Sequence, residues 1–165
     1  MLSEVCLGLG SNLGDRKANI ARAIDSLRAL STSPTVSSLY ETTPQGFRDQ
    51  PRFLNAACRI WTSLDPFQLL DAIRRIEIAV GRRHTFVNAP RILDIDILLY
   101  GNMVLDSPSL TIPHPRMAGR AFVLQPLTEI APHLRHPVLG ASIASLLALL
   151  PDTSGVSRRL HAIGI

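Results

Sequence analysis

The chain has 165 residues, 46% of them hydrophobic, and a formal net charge of +4, with arginine supplying all but one of its 17 basic residues. This length suits one domain over residues 1–165 that buries a substantial core. No apolar run approaches the roughly 20 residues that a membrane span needs, and no basic segment precedes the first apolar run as in a signal peptide, so we expect a cytoplasmic protein.

The first part of the chain predicts a strand, a helix and a second strand. Residues 4–11, EVCLGLGS, alternate bulky and small side chains, which predicts a strand with one bulky face. Apolar residues recur at helical spacing over residues 16–30, before the helix-ending segment STSP. Residues 35–42, TVSSLYET, are rich in β-branched and aromatic residues and predict a strand, followed by a loop with two prolines and one glycine.

The middle of the chain predicts a strand, a helix and another strand. Residues 52–64, RFLNAACRIWTSL, have the alternation of a strand. In the second helix we expect Asp65 as the N-cap, Pro66 at the first helical position and Gly81 at the end. Residues 91–100, RILDIDILLY, predict the strand that follows.

The last part of the chain predicts irregular structure and one helix. The proline-rich stretch from IPHPRM to FVLQPLTEIAP, residues 112–132, is predicted to be irregular, and SIASLLALL, residues 142–150, predicts a final amphipathic helix. The order of elements predicts an α+β fold. It is a ferredoxin-like βαββαβ core with a mainly antiparallel sheet, helices on one face of that sheet and a C-terminal helical extension.

Two carboxylates interrupt the strand that ends the predicted core. The period of two places Asp94 and Asp96 on one face, with Cα atoms roughly 6.6 to 6.8 Å apart. Burying an isolated carboxylate is costly, so a converging pair favours a bound cation, and Mg²⁺ is commonly held by one or two carboxylates together with substrate phosphates. The alternative is a pair of solvated acids on an open sheet face, and this short motif alone does not decide between them.

Basic residues lie on both sides of the acidic strand. Arg82, Arg83 and Arg91 bracket the loop before it, and the segment IPHPRMAGR adds His114 and Arg120 after it. Acids that can hold Mg²⁺, flanked by arginines, meet the needs of phosphoryl or diphosphoryl transfer. Each arginine taken singly is better explained as a solvated surface charge, but three of them in a ten-residue window beside the acids favour the functional interpretation. The chain lacks the G-x-x-x-x-G-K-[ST] motif of P-loop enzymes.

Several motifs together resemble a known family. GLGSNLGDR, SSLYET, FLNAA, APRILDIDILLYG, LTIPHPRM and RAFVLQPLTEIAP occur in the order and spacing typical of 6-hydroxymethyl-7,8-dihydropterin pyrophosphokinases, the enzymes of folate biosynthesis. The resemblance runs from about Val5 to Pro132. It implies a diphosphotransferase (EC 2.7.6.3) in which ATP donates a diphosphate to the hydroxymethyl group of the reduced pterin and leaves AMP.

The resemblance also implies roles for residues on the nucleotide side. Asp94 and Asp96 match the ligands of two Mg²⁺ ions that span the ATP phosphates, and Arg82 and Arg91 match phosphate-binding arginines with a catalytic role. Further positions that match the nucleotide side are Arg83, His84, Thr111, His114 and Arg120.

On the pterin side the resemblance agrees with the chemistry of the residues. A flat, polar bicycle is held well between two aromatic faces with hydrogen-bonding groups along its edge. Phe53 and Phe122 match the stacking pair, and Asn55 matches the amide that reads the edge. Without the family, either phenylalanine is as well interpreted as core packing. The loop implied to complete the pterin contacts contains Thr43, Pro44 and Gly46.

Two departures from the family concern loops. Thr43 stands where a proline is common, and residues 87–89 replace a basic residue and a tryptophan of the family's mobile loop. The segment from Arg82 to Arg91 has three arginines and little apolar character. We therefore expect it to be mobile in the free protein and to close over Mg-ATP and pterin.

Two other classes of protein share some of these features. A non-catalytic ferredoxin-like module could bind nucleotide or RNA, but the strands lack an RNP1-like aromatic array. A metal-dependent nuclease or nucleotidyltransferase could use the same two acids. We expect small-molecule substrates, ATP and the pterin, no nucleic-acid or membrane partner, and a monomer. Cys6 and Cys58 lack metal-ligand spacing and are interpreted as reduced core cysteines.

Overall fold

A six-stranded antiparallel sheet forms the centre of the computed structural model, which describes residues 1–83 and 86–162. Its strands lie in the order β5, β1, β4, β3, β8, with β2 paired to β4 beside β3. The strands are β1 (Ser3–Ser11), β2 (Thr32–Val36), β3 (Ser38–Thr42), β4 (Phe53–Thr62), β5 (Asp94–Tyr100) and β8 (Val156–Ala162). The short strands β6 (Leu105–Asp106) and β7 (Thr111–Ile112) form a separate hairpin.

Two helices cover one face of the sheet, as the apolar patterns predict. They are α1 (Arg16–Arg28) and α2 (Pro66–Val80). In α2 the carboxylate of Asp65 accepts hydrogen bonds from two backbone N–H groups of the first turn, and Gly81 ends the helix in the left-handed region. Apolar side chains of β1 and β4 pack against both helices in a core that includes Leu7, Ile24, Ile60, Leu69 and Ile73.

The C-terminal helices, predicted as an extension of the core, cover the opposite face of the sheet, a placement that the sequence did not indicate. They are α3 (Ala121–Ile130) and α4 (Ile143–Ala148), preceded by a 3₁₀ turn (Met117–Gly119). Small side chains of β1 and β4, such as Cys6 and Ala57, leave room there for Leu124, Leu127 and Ile143. The bulky and small faces of β1 therefore serve two different cores.

Three local expectations are corrected. Residues 121–130 are helical despite Pro126, because their apolar side chains bury against the sheet. The second predicted strand is divided at Ser37, whose hydroxyl accepts a hydrogen bond from the Ala57 N–H. The strand β8 was not predicted, and it pairs with β3 at the edge of the sheet.

The register of β1 and β5 also shifts near the end of β5. Cys6 pairs with Leu99 and Leu7 with Ile97, which leaves Leu98 as an extra residue in β5. Leu98 and Leu99 consequently both pack into the core beneath α3 and α4. The regular alternation predicted along this strand holds up to Leu98, and Asp94 and Asp96 lie within the part where it holds.

Candidate active site

One pocket collects most of the predicted site residues. It lies over the small-residue face of β1, between the ends of β3, β4 and β5 and the start of α3. Its lining includes the predicted residues Thr43, Phe53, Asn55, Arg91, Asp94, Asp96, Arg120 and Phe122. The chain thus brings together side chains that are up to 79 positions apart, from Thr43 to Phe122.

The two acids of the pocket have different surroundings. Asp94 accepts a hydrogen bond of 2.9 Å from Nη1 of Arg82, and its other oxygen lies 3.8 Å from Nε of Arg91. The side chain of Asp96 has no hydrogen bond or ion pair with any residue in the described part of the chain. Burial, and then the negative charge of Asp94, raise the pKa of Asp96 from 3.8 to about 7.

The acid pair fits a divalent cation that needs further ligands. A cation beside Asp96 would offset the burial and the repulsion that raise its pKa. Within residues 1–83 and 86–162 no group of three or more acidic, histidine or cysteine side chains could complete a metal site. Mg²⁺ typically takes its remaining ligands from substrate phosphates and water. Asp94 and Asp96 therefore suit a metal site in which a phosphorylated substrate and water supply the remaining ligands.

Arg82 is held in place by a buried carboxylate that the sequence analysis missed. Its guanidinium bridges Glu77 and Asp94. Glu77 is only 7% exposed, and its Oε2 also accepts a hydrogen bond of 2.9 Å from the Ile95 N–H. Burial raises the pKa of Glu77 and by itself would lower that of Arg82, but Asp94 and Glu77 raise the pKa of Arg82 overall. The sequence did contain an indication of this role, because Glu77 is a charged residue within the apolar, buried side of α2.

The two other arginines lie on the aromatic residues of the pocket. The guanidinium carbon of Arg91 is 5.4 Å from the ring centre of Phe53, and that of Arg120 is 5.3 Å from the ring centre of Phe122. Nε of Arg91 is buried and has no hydrogen-bond partner among the described residues. Arg91 and Arg120 therefore connect the acidic end of the pocket, at Asp94 and Asp96, with its aromatic end.

Asn55 is oriented by neighbours on two strands. Its Oδ1 accepts a hydrogen bond of 2.5 Å from the Thr42 hydroxyl, and its Nδ2 donates to the Leu9 carbonyl at 3.4 Å. Gly10 gives it room, because a Cβ at that position would lie 2.9 Å from Nδ2 of Asn55. Gly10 also lines the pocket, and the alternation of bulky and small residues in β1 was the signal for it.

Hydrogen bonds hold the C-terminal end of the loop before β5, at Arg91, against Asn12. Asn12, which is 1% exposed, accepts a hydrogen bond from the Arg91 N–H at 2.8 Å and donates its own N–H to the Arg91 carbonyl. Gln50 accepts from Asn12 and donates to the Asn88 carbonyl at 3.0 Å, and the rings of Phe47 and Phe86 meet edge to face at 5.3 Å. The segment 86–91 is thereby attached to the loop after β3.

Not every predicted residue lines the main pocket. Arg82 and Arg83 line a neighbouring pocket that shares Asn88 and Arg91 with the main one. Pro44 and Gly46 belong to the loop after β3 but are not lining residues, and the same is true of Thr111 in β7 and of His114 after it. Burial, with Arg120 and Arg116 nearby, lowers the pKa of His114. His84 lies outside the described residues.

Fold alone does not define function, but a pocket that combines paired acids, arginines and aromatic residues has the chemistry of a transferase for phosphate-bearing substrates. The particular family follows from comparison with known proteins. The chain belongs to the 7,8-dihydro-6-hydroxymethylpterin-pyrophosphokinase family, whose sequence model matches residues 6–132. Membership of this family does not favour a non-catalytic nucleotide- or RNA-binding module.

Two relatives illustrate the range of the match. A 2-amino-4-hydroxy-6-hydroxymethyldihydropteridine pyrophosphokinase of Pseudomonas aeruginosa is 44% identical over 153 residues, which cover 92% of this chain and 94% of that protein. The folic acid synthesis protein fol1 of Pneumocystis carinii is 46% identical over 150 residues, which cover 90% of this chain. The chain spans about a fifth of the length of that relative, since the match covers 20% of it.

The fold is shared with a solved structure of much lower sequence identity. Wild-type HPPK-DHPS of Plasmodium falciparum superposes with a TM-score of 0.72 at 17% identity, over 90% of this chain and 44% of that one. At this identity the likeness concerns the fold alone. In the described part of this chain, no helix has the length and apolarity needed to cross a membrane.

Proposed function

We propose that this chain transfers a diphosphate from ATP to the hydroxymethyl group of 6-hydroxymethyl-7,8-dihydropterin, with AMP as the second product. One observation carries the proposal: a single pocket has an aromatic end with an oriented amide and, beside it, an end with two acids and two arginines. The first suits a flat heteroaromatic substrate and the second suits a polyphosphate. Their adjacency would bring the hydroxyl group close to the phosphorus atom that it attacks.

Asp94 and Asp96 are proposed to hold two Mg²⁺ ions together with the ATP phosphates. Bound Mg²⁺ would neutralise phosphate charge and lower the pKa of the attacking hydroxyl. Arg82 holds Asp94 in place, so its proposed contribution is to orient one carboxylate as well as to bring positive charge near the phosphates. Arg91, whose buried Nε makes no hydrogen bond within the described residues, is the proposed donor to the transferred diphosphate.

The pterin is proposed to stack between Phe53 and Phe122. Asn55 would read its edge, because its amide is already oriented by Thr42 and Leu9 and needs little reorganisation on binding. The loop that contains Thr43, Pro44 and Gly46 would close the same edge. On the nucleotide side we retain Arg83, His84, Thr111, His114 and Arg120 as proposed ATP contacts.

Three wider features remain proposals. We propose that residues 1–165 form one pyrophosphokinase domain, that it acts as a monomer without a nucleic-acid partner, and that it works in the cytoplasm. The free thiols of Cys6 and Cys58 support a reducing compartment. Cell fractionation and sedimentation of the purified chain test the location and the oligomeric state.

The activity is tested by following ATP with and without 6-hydroxymethyl-7,8-dihydropterin and by identifying the nucleotide product. We expect AMP, formed only with both the pterin and Mg²⁺ present. Asp96→Asn should abolish the reaction, whereas Asp106→Asn, at an exposed acid of β6 outside the pocket, should leave it unchanged. Formation of ADP, or ATP consumption that is independent of the pterin, would contradict the proposed reaction.

A further inference from the structure

The C-terminal segment reaches the wall of the pocket at one residue. Gly155 directly precedes β8, and its carbonyl accepts a hydrogen bond of 3.0 Å from the Thr43 N–H. The Thr43 hydroxyl also donates to this carbonyl, at 3.4 Å. Thr43 and Asn55 both line the pocket. Because its N–H is bonded to Gly155, Thr43 does not offer that donor to a ligand.

Gly155 lies close to the side chain of Thr43. The φ angle of Gly155 lies outside the left-handed region, so its backbone conformation does not by itself require glycine. A Cβ added there would lie 3.3 Å from Oγ1 and 3.6 Å from Cβ of Thr43. A side chain at residue 155 would therefore contact Thr43 closely enough that the Thr43 hydroxyl would have to shift by a few tenths of an ångström.

The remainder of β8 holds this contact in place. Val156 pairs with Thr42, the residue whose hydroxyl orients Asn55. Nη2 of Arg158 donates to Oγ of Ser38 at 3.1 Å and to Oε1 of Glu129 at 3.3 Å. Because β3 is paired on both sides, its end at Thr42 and Thr43 is fixed by β8 on one side and by β4 on the other.

We infer that Gly155 is a positioning residue for the substrate, acting through Thr43 and Thr42 to set the edge of the pocket that recognises a flat heteroaromatic ring. The inference rests on the proposed function, since that function assigns the ring to this end of the pocket. It assigns a role in substrate recognition to the C-terminal strand. Among the described residues, the atoms within 4 Å of a Cβ added at Gly155, apart from those of its chain neighbours, belong to Thr43, so we expect the effect at the pterin end of the pocket.

The test compares Gly155→Val with Ser157→Ala, a control change at an exposed residue of β8 two positions further along the chain. Binding of 6-hydroxymethylpterin and of a non-hydrolysable Mg-ATP analogue is measured separately by calorimetry, with the melting temperature of each variant. Gly155→Val should weaken pterin binding about tenfold, which is the effect on affinity of losing about one hydrogen bond. It should change nucleotide binding less than about twofold. Ser157→Ala should change neither.

A second comparison separates positioning from loss of structure. Thr43→Ala removes the hydroxyl against which the new side chain would press. Gly155→Val should therefore weaken pterin binding much less in the Thr43→Ala background than in the unaltered chain. Equal weakening in both backgrounds, or equal loss of pterin and nucleotide binding by Gly155→Val, would overturn the inference.

The outcomes also distinguish this inference from the proposed function. If the unaltered chain binds the pterin but does not transfer a diphosphate, the proposed function is contradicted. The effect of Gly155→Val on pterin binding can still be measured in that case, so the positioning role is tested independently. Transfer activity with insensitivity of pterin binding to Gly155→Val would contradict the positioning role alone. Absence of pterin binding by the unaltered chain would contradict both.

Discussion

Replacing Asp96 by asparagine should stabilise the protein while it abolishes activity. In the folded chain the pKa of Asp96 is raised from 3.8 to about 7, first by burial and then by Asp94. The unfolded chain keeps the ordinary value, so the folded protein binds this proton more tightly. The stability that this provides is fully present below about pH 4 and is lost as the pH rises through 7.

The size of this effect follows from the same shift. A pKa raised by about three corresponds to about 4 kcal/mol, and relaxation of water and protein around the charged group reduces the expected loss to about 1–2 kcal/mol. For a chain of 165 residues this is about 2 to 8 °C in melting temperature. Asp96→Asn should recover that amount at pH 8.5 and about two-fifths of it at pH 5.

The matched variant is Asp94→Asn. Asp94 is paired with Arg82 at 2.9 Å, so its neutralisation removes a favourable partner and should lower the melting temperature at both pH values. Thermal unfolding of the wild type and both variants at pH 5 and 8.5 provides the comparison. If Asp96→Asn is destabilising at pH 8.5, or if the two variants behave alike, then the reasoning about the two acids is wrong. Magnesium with an ATP analogue should stabilise the wild type but not Asp96→Asn.

Three further predictions concern the walls of the pocket. Phe122→Ala should weaken pterin binding far more than nucleotide binding in calorimetric titrations, and equal losses would make Phe122 a core side chain only. Gly10→Ala places a Cβ 2.9 Å from Nδ2 of Asn55 and should raise KM for the pterin more than KM for ATP; an unchanged KM for the pterin would contradict the role given to Asn55. Arg82→Ala should slow transfer by roughly 10² to 10³ and lower the melting temperature, whereas Arg83→Ala, at an exposed residue, should do neither to a comparable extent.

Contacts in the structure limit how far the loop from Arg82 to Arg91, which we predict to be mobile, can move. Both ends are anchored, Arg82 by Glu77 and Asp94 and Arg91 by Asn12. Phe86 and Asn88 also contact the loop after β3, so any closure of residues 86–91 would have to carry that loop with it or break these contacts. The sequence could not indicate these anchors, because each of them joins the loop to a different secondary-structure element.

Local patterns predicted much of the core. The capping residues of α2 and its end at Gly81 follow from side-chain chemistry within a few residues, and the structure confirms them. The family resemblance, confirmed by the match over residues 6–132, depends on short motifs in a particular order. The strand alternation correctly placed Asp94 and Asp96 on the side of the pocket. These predictions succeeded because helices and strands have fixed periods that neighbouring residues reveal.

The sequence by itself thus determined the order of the core elements, the acid pair and the family. Only the tertiary structure decided that residues 121–130 form a helix, that β8 joins the sheet, and that Glu77 holds Arg82 against Asp94. The physical reason is that each of these depends on contacts between residues distant in the chain. A proline-containing segment becomes helical when its apolar face is buried, and an edge strand forms when β3 offers unpaired backbone groups. A carboxylate in an apolar stripe is retained when an arginine and a backbone N–H satisfy it.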